Sequence, residues 1–563
     1  MKNNKDIDIT TPNKTLLGSR GTHHTIGWIE FKSDELYVFW EDAEDVHEFE
    51  LTKVTDQKMS QALTPDDKKK SIFHVMWLRD NDQGPLSRHQ SNRQRLFSIV
   101  DIPEDICIRE AKLVFKDVPE HSSSQVVEIE FGGNNGSYVF KSIYDAKWLK
   151  EYDYCNNFSV KNIQNKQSFY GKRQLPKVET KSGYNDSLLK DLHWFTEPHI
   201  QLWDRDFFSL PSHPGIIFHD YDTLIYLNQE WKKDFFATSN EISITNPNEM
   251  LCKERRSKFK PMFDFLKDFV QYGFMLVKGV PVKEREVLNI PGLFDGFVRQ
   301  TNYGPLFDVM AKKNPNNLAY TNLAVTPHTD NPYRNPVPSI QILHCLKNEC
   351  EGGRSGLVDG FLAAEMIRRH SVAEGAYDSQ SYFDLLSNNY IPYEYHNPSY
   401  NTQEENEGVE KEESVSKDRK PESKKLSYFF CQQCAYLCHR QPVIEINDRD
   451  QVVAVAFNNR SASAFDFPSN LSHEKSIMPE FYKAYQTFAK LIFDETMQLS
   501  FKLKPGHAMI FDNRRVLHAR TGFSIKPAES SEKEEAPRHF QGCYSDKDAV
   551  FSKYLLMKKE FGE

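Results

Sequence analysis

The segment His328-Thr329-Asp330 carries residue types that bind metal ions. In an extended backbone residues i and i+2 point to the same side, so this imidazole and carboxylate can take adjacent positions on one ion. Alone the pattern is weak, because a chain with 19 histidines contains roughly one His-x-Asp by chance. A second candidate comes late, in Met509-Ile-Phe-Asp-Asn-Arg-Arg-Val-Leu-His518-Ala-Arg520, where an apolar strand turns and runs into a histidine. Two imidazoles and one carboxylate on one face leave open positions for a bidentate oxo-acid and for dioxygen, a ligand set suited to ferrous iron. Taken singly, each histidine reads more readily as an ordinary hydrogen-bonded one. The context weighs against that: Arg538 follows His518 by 20 residues, and a dicarboxylic co-substrate such as 2-oxoglutarate needs a fixed guanidinium at its far carboxylate. The planar fork of Arg binds both oxygens at once, which Lys does not.

Strands and helices must position these groups. A chain of 563 residues is too long for one compact domain, so two domains with insertions are expected. Residues 1–22 are polar and are expected to be disordered. Over 23–152, short alternating segments such as Glu35-Leu-Tyr-Val-Phe-Trp40 predict a small, mainly β domain. Its further expected strands are Ser71–Leu78, Leu96–Val100, Lys112–Phe115, Val126–Phe131 and Tyr138–Phe140, closed by a short helix at Asp145–Tyr152. Residues 153–199 read as a polar linker, and 200–563 as the domain that carries the chemistry. There, Phe263, Leu266, Phe269 and Val270 predict a helix over Lys260–Tyr272 with Gly273 at its C-terminal end. A buried strand at Phe274–Val280 follows, then mostly strands, with a helix around Pro479–Glu495. Residues 401–427 are charged and almost free of large apolar side chains, too polar to offset the entropy of ordering, and are expected to form a disordered surface insertion.

Composition excludes several classes. With 39% hydrophobic and 27% charged residues the chain is of the soluble globular kind. A net charge of 71 − 80 = −9 argues against nucleic acid or an anionic membrane as a partner. No apolar run approaches the ~18 residues that span a bilayer. The nine cysteines do not form a disulfide framework and point to a reducing compartment. The N-terminus MKNNKDIDITTPNK has no apolar signal core, and Asp6 and Asp8 are unlike a transit peptide. Cytosol is therefore expected, with the mitochondrion second. Cys431-Gln-Gln-Cys434 with Cys438-His439 has metal-like spacing but lacks a second pair, so thiols without zinc are the expectation there. The aromatic share of 13% leaves rings to line a pocket once the core is filled.

Longer motifs resemble a known family. His328-Thr-Asp-Asn-Pro-Tyr-Arg-Asn-Pro-Val-Pro-Ser-Ile-Gln-Ile-Leu-His-Cys345, with Gly352-Gly353 and Leu357-Val-Asp-Gly-Phe361 after it, is similar to the γ-butyrobetaine and trimethyllysine dioxygenases. So are Phe511-Asp-Asn-Arg-Arg-Val-Leu-His518 and Trp77-Leu-Arg-Asp-Asn81; the likeness covers residues 25–152 and 200–558. The resemblance implies a mainly β fold with flanking helices: a double-stranded β-helix (jelly-roll) catalytic domain preceded by a small β-rich N-terminal domain. It implies iron(II), 2-oxoglutarate and O2, stimulation by ascorbate, and a homodimer. 2-Oxoglutarate would go to succinate and carbon dioxide while a C–H bond of a small trimethylammonium compound is hydroxylated. γ-Butyrobetaine, giving carnitine, is the foremost substrate; trimethyllysine and 2-trimethylaminoethylphosphonate are the alternatives.

On this resemblance His328, Asp330 and His518 carry over as iron ligands, and Arg538 as the co-substrate anchor with Arg520 as second candidate. Ser355, in the Gly-Gly-Arg-Ser turn, carries over as a further co-substrate contact. Tyr303, Phe307, Tyr320 and Tyr544 match an aromatic cage. A quaternary ammonium has no N–H donor, so π-faces are its natural receptor. Asn317 matches the residue that holds the substrate's carboxylate, and Arg334 beside the metal loop suits a carboxylate or a phosphonate. Three departures stand out. Phe307 replaces a Trp of the γ-butyrobetaine enzyme and is a weaker cation–π partner. Asp82–Gln90 contains no Cys where the family commonly binds structural zinc, so no zinc is expected there. The span from His518 to Arg538 is longer than the family's, with Ser530–Glu535 as the inserted run. A catalytically silent quaternary-amine-binding relative would lack a metal ligand or the Arg, and all four are present.

Overall fold

The computed structural model describes residues 25–40, 70–89, 94–116, 124–133, 138–153, 200–210, 215–238, 249–310, 323–373, 381–397, 435–465, 477–524 and 537–561. The expected disordered N-terminus 1–22, the linker apart from Asp153, and the insertion 401–427 lie outside these residues. The chain forms two compact units, one drawn from 1–89, 95–180 and 463–486, the other from 90–94, 181–462 and 487–563.

The first unit contains two three-stranded antiparallel sheets, Ile26–Phe31 with Glu35–Trp40 and Lys70–His74, and Ile106–Lys116 with Ser124–Gly133 and Val139–Asp145. Period-two alternation puts Leu36, Val38 and Trp40 on the buried side. The strand expected over Ser71–Leu78 stops at His74, whose ring accepts the Met76 N–H and caps a helix, Val75–Asp80. All six helical residues are buried, so the apolar run has no face to betray its period. Leu96–Val100 is likewise no strand: Arg95 makes an isolated bridge, and Ile99–Asp101 is a 3-10 turn whose Asp101 carboxylate accepts the Ser98 N–H. The short helix Ala146–Glu151 forms behind its Asp145 cap. Residues 463–486 return to this unit from far along the chain. Tyr482 donates to Asp80 at 2.9 Å, the Trp77 indole to the Phe465 carbonyl at 2.9 Å, and Gln486 to the Ile99 and Ile102 carbonyls at 3.0 Å each. Asp80 also pairs with Arg95 at 2.7 Å, both side chains buried.

In the second unit the strands are β1 (Phe218–Asp220), β2 (Phe274–Lys278), β3 (Phe307–Met310), β4 (Val325–His328), β5 (Ile340–Asn348), β6 (Ser355–Asp359), β7 (Leu499–Phe501), β8 (Ala508–Asp512), β9 (Val516–Arg520) and β10 (Arg538–Ser545). A six-stranded sheet runs β1-β2-β8-β5-β10-β3 and a four-stranded sheet β4-β9-β6-β7. Neighbours are antiparallel except β1 and β2. One apolar cluster draws Leu357, Leu499 and Phe501 from the smaller sheet and Phe274, Met509, Phe511 and Phe540 from the larger. The alternate residues of the larger sheet, Ile340, Ile342 and Ile510, join a second cluster with Phe263, Leu266 and Val270 of the helix Glu249–Tyr272. Two sheets sharing one core, with helices over the larger, give the mainly β architecture expected. That helix begins before the expected Lys260 and ends at Gly273, whose φ of 78° lets the chain turn at once into β2. Among the described residues no helix is long and apolar enough to cross a membrane.

Candidate active site

The register of the smaller sheet brings the two histidines together. β4 ends on His328, which stands directly opposite His518 of β9, with ring centroids 4.2 Å apart. β9 is an interior strand: its other edge pairs with β6, where Leu357 faces His518. Asp330 follows β4 in a turn. Its backbone is clamped by Asn513, whose side chain accepts the Asp330 N–H at 2.7 Å and donates to the Asp330 and Pro338 carbonyls at 2.9 and 3.0 Å. Asn331 then takes φ +54°, a left-handed conformation that Asn tolerates better than most residues. One ligand atom from each of His328, Asp330 and His518 lies within 4.8 Å of the others, with His328 Nε2 3.4 Å from Asp330 Oδ1.

The electrostatics suit a divalent ion. His328 Nδ1 lies 2.8 Å from the Thr326 carbonyl, which holds the proton there and leaves the Nε2 lone pair to face Asp330. Burial, with His328 beside it, pushes His518 down to about 3, so its ring is neutral at physiological pH. Its buried Nδ1 has no hydrogen-bond partner. Burial pushes Asp330 up, but His518, His328 and the Tyr544 hydroxyl outweigh it and hold the carboxyl below its usual range. Two imidazoles, one carboxylate and an orphaned ring nitrogen fit a metal and fit the 2-His-1-carboxylate pattern of ferrous oxygenases.

The expected co-substrate residues also converge. Arg520 lies two residues beyond His518 on the same face of β9, and Ser355 of β6 stands opposite it in register. Arg538 opens β10 and lies over the Phe540 ring at 4.0 Å. Burial pushes both guanidinium groups down to about 10, and Arg538 and then Arg460 depress Arg520 further. Among the described residues Arg538 has no carboxylate partner, and its buried Nε has no acceptor. Gly353, at φ +62°, leaves the space beside it open: a Cβ there would sit 3.4 Å from Arg538 Nε. An uncompensated buried guanidinium beside such a cradle fits the far carboxylate of 2-oxoglutarate.

Three of the four expected cage rings are adjacent. Phe307 stacks on Tyr544 at 5.2 Å and meets Tyr303 edge-on at 6.1 Å. Gly542, opposite Phe307 in register, makes room for that ring, since a Cβ would come within 2.3 Å of it. The Tyr544 hydroxyl donates to Asp330 Oδ2 at 2.8 Å, so this ring touches the metal site as well as the cage. Asn331 donates to the Tyr303 hydroxyl and accepts from that of Tyr333. Arg334 lies over Tyr303 at 5.6 Å and Tyr333 at 5.9 Å, with no carboxylate partner among the described residues. Asn317 and Tyr320 lie outside the described residues, as do Cys431, Cys434 and the run Ser530–Glu535. Cys438 is exposed on the strand Ala435–Gln441.

Three residues of this site escape a reading of sequence. Asn513 contacts Asp330 across 183 residues. Asn331 bridges the metal loop to the cage. Arg460 Nη2 stands 3.5 Å from His328 Nε2 across 132 residues. The one available signal was the polar run Asn458-Asn459-Arg460-Ser461, mostly buried, directly after an apolar strand.

A 2-His-1-carboxylate face on a two-sheet β core, with the buried Arg538 guanidinium left without a carboxylate among the described residues, fits an oxygenase that uses a metal and a 2-oxo acid. The chain belongs to the taurine catabolism dioxygenase TauD, TfdA family, whose model matches residues 257–544. Similar proteins include the γ-butyrobetaine dioxygenase of Pseudomonas sp. (strain AK-1), 25% identical over 88% of this chain and 94% of that one. The trimethyllysine dioxygenase of Meyerozyma guilliermondii is 24% identical over 86% and 90% of the two chains. The human γ-butyrobetaine dioxygenase is 27% identical over 53% and 63%. This chain is thus an iron(II)- and 2-oxoglutarate-dependent dioxygenase of the γ-butyrobetaine and trimethyllysine type.

Proposed function

We propose that this enzyme hydroxylates a small trimethylammonium compound, with γ-butyrobetaine, giving carnitine, as the foremost substrate. The supporting observation is the grouping of Tyr303, Phe307 and Tyr544, with the Tyr544 hydroxyl on Asp330. A cation held against these rings lies next to the metal ligands, which puts its neighbouring C–H bonds in reach of the chemistry. Iron, when bound, would activate dioxygen as the oxidant, and 2-oxoglutarate would give two of the four electrons as it is decarboxylated to succinate, the substrate C–H bond giving the other two. The chain's own part is to hold them, through His328, Asp330 and His518 and through Arg538 with Ser355, while the cage orients the amine.

Arg334 narrows the choice. A guanidinium over Tyr303 repels a trimethylammonium group nearby unless an anion lies against it. A short zwitterion brings that anion with it. γ-Butyrobetaine and 2-trimethylaminoethylphosphonate do so; in trimethyllysine the carboxylate is remote and carries an ammonium group beside it. The same proposal takes residues 23–152 as the family's N-terminal module, the enzyme as a cytosolic homodimer, and Asn317 and Tyr320 as substrate contacts.

The test is succinate release from purified protein with iron(II), ascorbate, 2-oxoglutarate and each of the three amines. γ-Butyrobetaine should give the highest kcat/KM. Its isostere with tert-butyl in place of trimethylammonium should bind about thirtyfold more weakly, for a lost cation–π attraction of ~2 kcal/mol. Phe307→Trp should strengthen γ-butyrobetaine binding. Equal binding of the neutral isostere would reduce the rings to core and sink the trimethylammonium assignment.

A further inference from the structure

The Arg460 guanidinium, at 3.5 Å from His328 Nε2, reaches the atom through which His328 meets a metal. Its position is fixed to the ligand loop. Thr329, between the two ligands, donates its N–H to the Phe457 carbonyl at 2.8 Å, and its hydroxyl accepts the Phe457 N–H at 3.1 Å. Asn458 donates to the Thr329 carbonyl at 2.9 Å. The chain three residues before Arg460 is thus tied to the residue between His328 and Asp330. Among the described residues no carboxylate lies within ion-pair distance of Arg460. The neighbouring Ser461 hydroxyl and Asn458 Oδ1 are buried without a partner. Asp330 does not fill the gap, because it is itself a ligand and its second oxygen takes the Tyr544 hydroxyl.

Arg does not lose its proton in proteins. A fixed guanidinium beside a divalent ion is therefore repelled by it unless one anion lies against both. The substrate's anion is a poor candidate, since Arg334 stands ready for it on the cage side. The far carboxylate of the co-substrate has Arg538, at the head of a strand in the other sheet. The remaining anion is the carboxylate next to the 2-oxo group, the one that belongs at the metal. We infer that Arg460 binds the metal-proximal carboxylate of the 2-oxo acid, so that the co-substrate is held by a guanidinium at each end. The inference rests on the assignment of His328 and Asp330 as metal ligands and of Arg538 as the far anchor.

The prediction concerns 2-oxo acids as a class. Calorimetry on Mn(II)-loaded protein, which does not turn over, would compare 2-oxoglutarate with 2-oxobutyrate, which keeps the oxo-acid end and lacks the far carboxylate. Arg460→Gln should weaken both by a similar factor, roughly ten- to hundredfold for one charge-assisted contact. Arg538→Gln should weaken 2-oxoglutarate by at least as much and leave 2-oxobutyrate nearly unchanged. Arg460→Lys, which keeps the charge and loses the fork, should fall between wild type and Arg460→Gln. Mn(II) affinity of each variant, measured first, establishes that the triad is intact. If wild type itself fails to bind 2-oxoglutarate, the co-substrate assignment falls. If wild type binds it and Arg460→Gln binds both oxo-acids equally well, or loses only the amine, Arg460 serves something else and this inference alone is overturned.

Discussion

Asn513 is fully buried and touches no bound group, yet removing it should damage the metal site. Its side chain makes three hydrogen bonds, to the Asp330 N–H and to the Asp330 and Pro338 carbonyls. Asn513→Ala deletes all three, and at ~1 kcal/mol net for each the loss is about 3 kcal/mol. Stranded buried partners raise this toward about 5 kcal/mol, the upper end for single substitutions. The effect should be local, because two of the three orphaned groups belong to Asp330 and the third, the Pro338 carbonyl, to the loop that follows it. Hydrogen exchange read on a peptide covering Thr326–Arg334 would measure it directly. A loss of ~3 kcal/mol corresponds to exchange at Asp330 roughly a hundredfold faster. The carboxylate would then be presented in several orientations, and Mn(II) affinity should fall about ten- to hundredfold, as it does when the support of a ligand is removed. Exchange within about threefold of wild type together with unchanged Mn(II) affinity would show that the turn holds itself, and the clamp argument would fail.

Substituting His328→Ala or His518→Ala should abolish turnover and most metal affinity, and full turnover with either would remove the triad assignment. Arg538→Ala should leave the metal bound and weaken 2-oxoglutarate by two to three orders of magnitude, from roughly 3–5 kcal/mol for a buried charge left alone. If Arg520→Ala has that effect and Arg538→Ala does not, the anchor is the guanidinium on β9. Tyr544→Phe keeps the ring on Phe307 and removes the bond to Asp330. It should lower Mn(II) affinity by about tenfold or less while leaving amine binding within a few-fold, and the opposite pattern would mean that the hydroxyl serves the amine.

The metal triad was legible because its parts are short and local. A His-x-Asp on an extended segment and a histidine closing an apolar strand declare their faces through period two alone. Arg538 was singled out as the proposed anchor by the chemistry a dicarboxylate requires, and Tyr303, Phe307 and Tyr544 came from matched motifs; single rings in a sequence rich in Phe and Tyr say nothing of their neighbours. Asn513, Asn331 and Arg460 were illegible for a different reason. Asn513 and Arg460 find their partners more than a hundred residues away, and Asn331 depends on a left-handed backbone and a ring 28 residues upstream; none of these leaves a period in the chain. Errors in the first unit have a related cause. Val75–Asp80 is buried all round, so helix and strand look alike there. The return of 463–486 has no local mark at all.

That return constrains how the protein can be made and cut. The Trp77 indole and the Ile102 carbonyl take partners from Phe465 and Gln486, and the Asp80 carboxylate and the Ile99 carbonyl, which also bond within the early segment, each take a further one from Tyr482 and Gln486. A ribosome delivers these more than 360 residues after Ile102, and at ~5–20 residues per second that is a wait of roughly 20 to 70 seconds. Through that interval the apolar and polar surface that 463–486 covers is open to water, a state suited to chaperone capture. The same dependence means that a proteolytic or engineered fragment ending at Asp153 is missing part of its own interior. The first unit is therefore early in synthesis and late in completion, and no single cut in the chain separates the two units intact.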